Sequence, residues 1–284
     1  MCGTKVKNDG LEICRGRAHK IAGDPVHGFT RRRGSFQWRC AKGDLALHRQ
    51  MGFRVEVNAT DLALNATIDG HTHGAWRNLF ESAMRLIDDV EARVGSPMFW
   101  TLGGGTVLML RHQHRHSKDI DIFVSDPQIL GYFSPRLSEV AERLTGQYQE
   151  TAGHLKLFLP EGEIDIVASP NPTEPGFVEG DLLGHVVKLE TDIEIVAKKM
   201  WHRGDQVKAR DLLDLSLVIE RSPKALHSAA HFLIRHRDAF LEQLISREDV
   251  LREQFDAIDT IKYRKTFDEA ASVAKHFLLG LARV

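Results

Sequence analysis

Three glycines, Gly103-Gly104-Gly105, run into Thr106, and twelve residues later come two acids, Asp119-Ile120-Asp121. Glycine has no Cβ, so the backbone at such a run can turn sharply and bring its N–H groups close to a phosphate. Val107 to Arg111 can then open a helix whose first N–H groups and positive dipole end also favour an anion. The run Asp119-Ile120-Asp121-Ile122-Phe123 alternates polar and apolar, the mark of a strand. Residues two apart on a strand share a face, so both carboxylates are expected to aim at one place beside the glycine turn. Like charges held together need a proton or a cation between them. Mg²⁺ suits two carboxylates, because it completes its octahedron with waters and phosphate oxygens. A phosphate cradle beside a twin-carboxylate metal site is what nucleotidyl or phosphoryl transfer requires.

Further candidates lie downstream. Asp165 sits mid-strand between Ile164 and Ile166 and is the expected third carboxylate for a two-metal site, although Glu163 shares its face. In Ala197-Lys198-Lys199-Met200-Trp201-His202-Arg203, Lys199 can neutralise a triphosphate as a point charge. Arg203 or Arg210 can grip phosphate with two parallel hydrogen bonds. Asp211 and Asp214 lie three apart, on one helix face, and either can orient Lys199 or accept a proton from a substrate hydroxyl. The plainer reading of Arg210 and Asp214 is an exposed ion pair. His112, His114 and His116 alternate with Arg111, Arg115 and Lys118; a zinc site lacks a further nearby ligand, and solvated loop histidines are the expectation. His71 and His73 carry no readable role.

Gly104-Gly105-Thr106, the twelve-residue gap and Asp119-x-Asp121 together resemble the signature of the nucleotidyltransferase superfamily, and most of all its AbiEii/AbiGii toxin branch. The lysine helix followed by Lys208-Ala209-Arg210-Asp211-Leu212-Leu213-Asp214-Leu215 resembles that branch's second block. The likeness covers roughly residues 95–220; the long basic leader and the extra Gly103 depart from it. It implies catalytic Asp119, Asp121, Asp165, Lys199 and Asp211, with Mg²⁺, two ions in all, on the first three. Gly104, Gly105, Thr106, Lys199 and Arg210 would hold the nucleoside triphosphate, and Asp165 is favoured over Glu163. It also implies an RNA acceptor, transfer RNA foremost, and a separately encoded antitoxin. Two alternatives stand beside it: transfer to a small molecule of the antibiotic type, and a nucleotide-binding module without catalysis.

Several elements must position these residues. Leu79, Phe80, Ala83, Ile87, Val90 and Val94 recur at helical spacing over Trp76–Val94, with Gly95 and Pro97 as the stop. Met98 to Leu102 reads as a buried strand entering the glycine turn, and Pro135 to Leu144 as a second helix begun by Ser134. His154–Leu159 and Glu163–Val167 alternate around Pro160-Glu161-Gly162, a hairpin. Thr191-x-x-Glu194 reads as a capping box opening a helix through Arg203, Gly204-Asp205 breaks it, and Lys208 to Glu220 forms the next. Three or four more amphipathic helices follow in 223–282. The expected class is α/β (α+β): a mixed sheet with flanking helices over 51–190, then a helical C-terminal domain over 191–284.

The 284 residues carry a net charge of −1, unevenly distributed. Residues 1–50 hold eleven Lys/Arg against four acids, +7, which leaves −8 on the rest. An acidic body binds nucleic acid only through a local basic surface. Arg31-Arg32-Arg33-Gly34 with Phe36 and Trp38 can form such an arm, but a disordered extension, with Met51 as an alternative start, is the plainer reading. Cys2, Cys14 and Cys40 fit neither a disulfide framework nor a structural zinc site, and there is neither an apolar leader nor an apolar stretch long enough for a membrane span. The cytoplasm is the expected compartment.

Overall fold

The computed structural model describes residues 68–70 and 73–281. The basic leader, 1–50, and the arm reading of Arg31–Arg33 therefore lie outside the described residues. Helix α1 (Trp76–Val94) buries Trp76, Leu79, Phe80, Ala83, Leu86, Ile87 and Val90 along one stripe and stops at Gly95. Its apolar face lies against a seven-stranded mixed sheet of order β3-β4-β5-β2-β1-β7-β6. The strands are β1 (Trp100–Gly103), β2 (Ile120–Val124), β3 (Tyr148–Thr151), β4 (His154–Leu159), β5 (Gly162–Ala168), β6 (Phe177–Leu182) and β7 (His185–Glu190).

Between β1 and β2 comes α2 (Gly104–His112), buried from Gly104 to Leu110. β1 and β2 are antiparallel, with Gly103 opposite Asp121, so the glycine turn opens directly across from the second acid. β2 and β5 are parallel, with Asp121 opposite Asp165. β1 also runs parallel to β7, Leu102 opposite Leu189, which ties the glycine strand to the chain just ahead of the helical region.

Local chemistry explains where the elements begin and end. The helix expected from Pro135 starts later, as α4 (Glu139–Leu144), after the short α3 (Leu130–Phe133). Its cap is Ser138, whose hydroxyl accepts from Ala141 N at 3.1 Å and donates to Asp89 on α1 at 2.8 Å. Ser134 and Arg136, ahead of it, are instead tied to Glu150 on β3. Thr191 caps α5 (Asp192–Arg203) by accepting from Glu194 N at 3.2 Å. Only half of the expected capping box forms, because the Glu194 carboxylate turns to Thr173. Both halves form further on, at Thr266 and Glu269, where the helix Phe267–Gly280 begins.

Beyond α5 come α6 (Ala209–Arg221), α7 (Pro223–Ser228), α8 (Ala230–Ile234), α9 (Arg237–Ser246), α10 (Glu248–Asp256) and α11 (Phe267–Gly280). One contiguous apolar core runs from Trp76 and Leu108 through Ile166 and Leu189 to Leu213, Phe240 and Leu278. The helices therefore share the interior of the sheet layer. Among the described residues no helix is long and apolar enough to cross a membrane.

Removing the Ser138 cap tests this account of the 139–144 boundary. Ser138→Ala loses the bond to Ala141 N and the bond to Asp89, and should cost about 1–2 kcal/mol. A melting curve coincident with that of the wild type would show that the helix start is set by something else.

Candidate functional site

Asp121 and Asp165 are neighbours on adjacent parallel strands, and at matched register both side chains emerge from the same face of the sheet. Burial first, and then the charge of Asp165, push the Asp121 carboxyl up to about 6, against the pull of Arg203, Lys199 and Arg210. Asp165 itself is pulled down: burial opposes ionisation, but His154 at 3.2 Å and Lys156 at 3.2 Å outweigh it. Lys156 also contacts Glu163, so the two acids left open by the sequence share one ammonium, and it is Asp165 that faces Asp121.

Asp119 is differently engaged. Its Oδ1 accepts from the backbone N of Glu163 at 3.1 Å, and its carbonyl accepts from Thr106 Oγ1 at 2.5 Å. The structure therefore joins Asp119 to Thr106 and to the start of β5, and joins Asp121 to Asp165. Among the described residues no group of three His, Cys, Asp or Glu is arranged to hold a metal ion.

The glycine turn is shaped around these acids. Gly104 has φ +73°, and a Cβ there would collide with the Asp121 carboxylate. A Cβ on Gly105 would collide with the Arg115 guanidinium. Glycine is thus required twice, once for backbone conformation and once for close approach. Thr106 Oγ1 also lies 3.0 Å from Ser117 Oγ, which closes the loop between α2 and β2.

Behind the turn lies the helical block. Lys199 on α5 pairs with Asp211 at 3.0 Å and with Asp214, and Arg203 pairs with Asp211 at 2.8 Å. Burial opposes the charge on Asp211, but Lys199 and Arg203 hold its pKa at about 2. Asp214 is fully buried rather than exposed. Its partners are His114, Arg115 and Lys199, not Arg210: Arg115 grips it with two bonds at 2.8 and 2.9 Å, and His114 reaches it at 2.8 Å. These partners overcome burial and keep the Asp214 carboxyl well below the usual range. Lys199, Arg203 and Asp211 also line a small cleft with Met200, Leu215 and Phe240, to one side of the Asp121–Asp165 pair.

The three histidines diverge. His112 binds Asp192 at 2.6 Å, buried His114 binds Asp214, and His116 lies exposed, 3.8 Å from Asp259. The expectation of solvated loop histidines fails for His112, which ends α2 nearly buried against Asp192, and for His114, which is buried against Asp214. The loop carrying it is pinned from the far end of the chain: His116 N donates to Asp259 O, and Ile261 N to His114 O.

Several contributors escaped the sequence reading. His154 and Lys156 were assigned only to a strand, yet their alternation with Leu155 and Leu157 aims both at Asp165. Lys208 stands near Arg203, Arg210 and Lys156, which with burial lower its pKa. Neither Lys208 nor the exposed Arg210 has an acid partner among the described residues. Both are exposed cations, and Arg210 is close enough to Asp121 to act on its carboxyl.

Two substitutions follow. Asp214→Asn leaves buried Arg115 and Lys199 without their counter-charge and should cost about 3–5 kcal/mol of stability, read by denaturant unfolding. A loss below about 1 kcal/mol, the size of an exposed pair, would contradict the burial of this network. Gly104→Ala should displace Asp121 and abolish nucleotide binding, measured by calorimetry, at a positive φ that alanine tolerates poorly.

The sequence profile of the family described as "Nucleotidyl transferase AbiEii toxin, Type IV TA system" matches residues 85–277. The search of curated proteins finds no match. Among solved structures the fold is similar to JHP933 from Helicobacter pylori, at 18% identity and a TM-score of 0.42, covering 70% of this chain and 88% of that one. It is also similar to an H. pylori protein provisionally described as a nucleotidyltransferase, at 17% identity and a TM-score of 0.40, covering 74% and 97%. Both scores are low, so the assignment rests on the family match, which takes in the glycine turn, the paired acids and the lysine–aspartate helices alike: the chain belongs to the AbiEii nucleotidyl transferase family and is a nucleotidyltransferase.

Proposed function

We propose that the protein uses Mg²⁺ to move a nucleoside monophosphate from a nucleoside triphosphate to a hydroxyl of RNA, transfer RNA foremost, as the toxin of a toxin–antitoxin pair. The observation that carries the metal-dependent part is the facing pair Asp121–Asp165 beneath the glycine turn, ringed by Lys199, Arg203 and Arg210. The family description supports the toxin role and a separately encoded antitoxin.

The donor set fits Mg²⁺ in its chemistry. Two carboxylates are held together at a cost that shows in the raised pKa of Asp121, and Mg²⁺ takes few protein oxygens and fills its shell from water and phosphate. Asp121 and Asp165 would hold the ion, with Asp119 fixing the start of β5 behind them. With two facing carboxylates and Lys156 already on Asp165, the set suits one ion better than two. Bound there, the ion supplies charge neutralisation for the phosphates and acidity for the attacking hydroxyl.

The chain's own residues do the rest. The N–H groups of Gly104, Gly105 and Thr106, at the start of α2, face the phosphates. Lys199 and Arg210 neutralise the triphosphate, and unpartnered Lys208 adds a second exposed cation. Asp211, held ionised at about pH 2 and above by Lys199 and Arg203, orients Lys199 towards the nucleotide. Transfer of this kind depends on position and electrostatics more than on a protein nucleophile.

Incubation with each labelled nucleoside triphosphate and total RNA tests the reading. One nucleotide should label RNA when Mg²⁺ is present and not when it is chelated. Asp121→Asn and Lys199→Met should each cut labelling by several orders of magnitude, Asp121→Asn with the melting temperature kept. RNA labelling by Asp121→Asn within tenfold of wild type would remove the metal-site reading. Label on a small molecule but never on RNA would move the acceptor assignment instead.

A further inference from the structure

The outer side of α5 carries a second cationic feature. Arg235, which follows α8, stacks its guanidinium 4.3 Å above the Trp201 ring. Arg235 is exposed and has no acid partner among the described residues. Stacking fixes the plane of a guanidinium while leaving its N–H edges open, so little freedom remains to be lost when an anion binds. The stem is itself rigid: Trp201 meets Phe232 edge-on at 5.8 Å and lies 6.0 Å from His231.

His202, between Trp201 and Arg203, is bonded to Ser169 at 3.1 Å. Burial, then Lys198, Arg235, Arg203 and His236, push its pKa down to about 4. Arg203 is also a wall of the cleft beside Asp211. The residues beyond 50 sum to −8, and against that background an exposed arginine with no acid partner among the described residues stands out.

We propose that Arg235, stacked on Trp201 with His231 and His236 beside it, binds a backbone phosphate of a single-stranded polynucleotide whose end is the acceptor. The proposal rests on RNA being the acceptor. A small-molecule acceptor would have no use for a second phosphate site at Arg235. A polynucleotide reaching the site needs such contacts, because phosphate neutralisation supplies most of its affinity.

The test is binding of a fluorescein-labelled single-stranded RNA oligonucleotide across a salt series, beside calorimetry of nucleoside triphosphate binding. Arg235→Ala should weaken RNA binding about tenfold and reduce the salt slope by about 1, with nucleotide affinity and melting temperature unchanged. Arg235→Lys, which keeps the charge and loses the planar stack, should restore the salt slope and only part of the affinity. RNA binding by Arg235→Ala with wild-type affinity and salt slope overturns this site alone and leaves the RNA reading standing. A wild-type protein that binds no RNA, yet transfers a nucleotide to another acceptor, overturns both.

Discussion

The structure hangs on one buried carboxylate. Asp214 is closed off from solvent and surrounded by Arg115, His114 and Lys199, which come from a loop after the glycine helix and from α5. A charge in that position is tolerable only with partners of matched geometry, and each partner is in turn held in place by needing Asp214. Arg115 also presses against Gly105, so the glycine turn and Lys199 share a single anchor. Sheet and helices are joined at the site by charge as much as by apolar packing.

Around that anchor the cations fall into two groups. Lys199, Arg203 and Lys156 are committed to Asp211, Asp214, Asp165 and Glu163, and they set the shape of the site. Lys208, Arg210 and Arg235 are exposed and have no such commitment among the described residues. A second buried cluster, Lys198 with Glu190 and Glu194, supports β1 from behind through the bond from Thr101 to Glu190. There burial and Glu190 raise Glu194 to about 7 against Lys198, so its charge is a strain on the fold that eases as pH falls below that value.

Where a local signal exists, the sequence shows the element. The glycine turn, the Asp119–Phe123 alternation, the 154–167 hairpin and the two helices around Gly204 all announce themselves by pattern. The hairpin of β6 and β7 does not. Its turn places Leu183 at φ 55° and Gly184 at φ 85°, and leucine is a poor advertisement for a left-handed position. Asp214 was legible in principle. The run Leu212-Leu213-Asp214-Leu215-Ser216-Leu217-Val218-Ile219 has no polar face, and the whole of it is buried, so an acid within it has to be partnered inside. The i,i+4 spacing to Arg210 drew attention to the wrong neighbour. The acids were legible only as residue types: alternation places Asp119 and Asp121 alike, whereas the structure sets Asp121 opposite Asp165 and turns one oxygen of Asp119 to the backbone of Glu163.

The bonds from Asp259 and His114 across to residues 116 and 261 also bear on the order in which the molecule is made. The contacts that join the glycine turn to the helices are long in sequence: β1 waits for β7, His114 and Arg115 wait for Asp214, and their loop waits for residues 259–262. Distant pairings of this kind come late, because the chain loses the freedom of the intervening loop before any contact offsets it. During synthesis from the N-terminus, the glycine turn and its acids emerge well ahead of the lysine and aspartates that organise them. The nascent chain thus carries the glycine turn and its acids before the residues that hold them in place, and the arrangement closes only once residues 259–262 have left the ribosome.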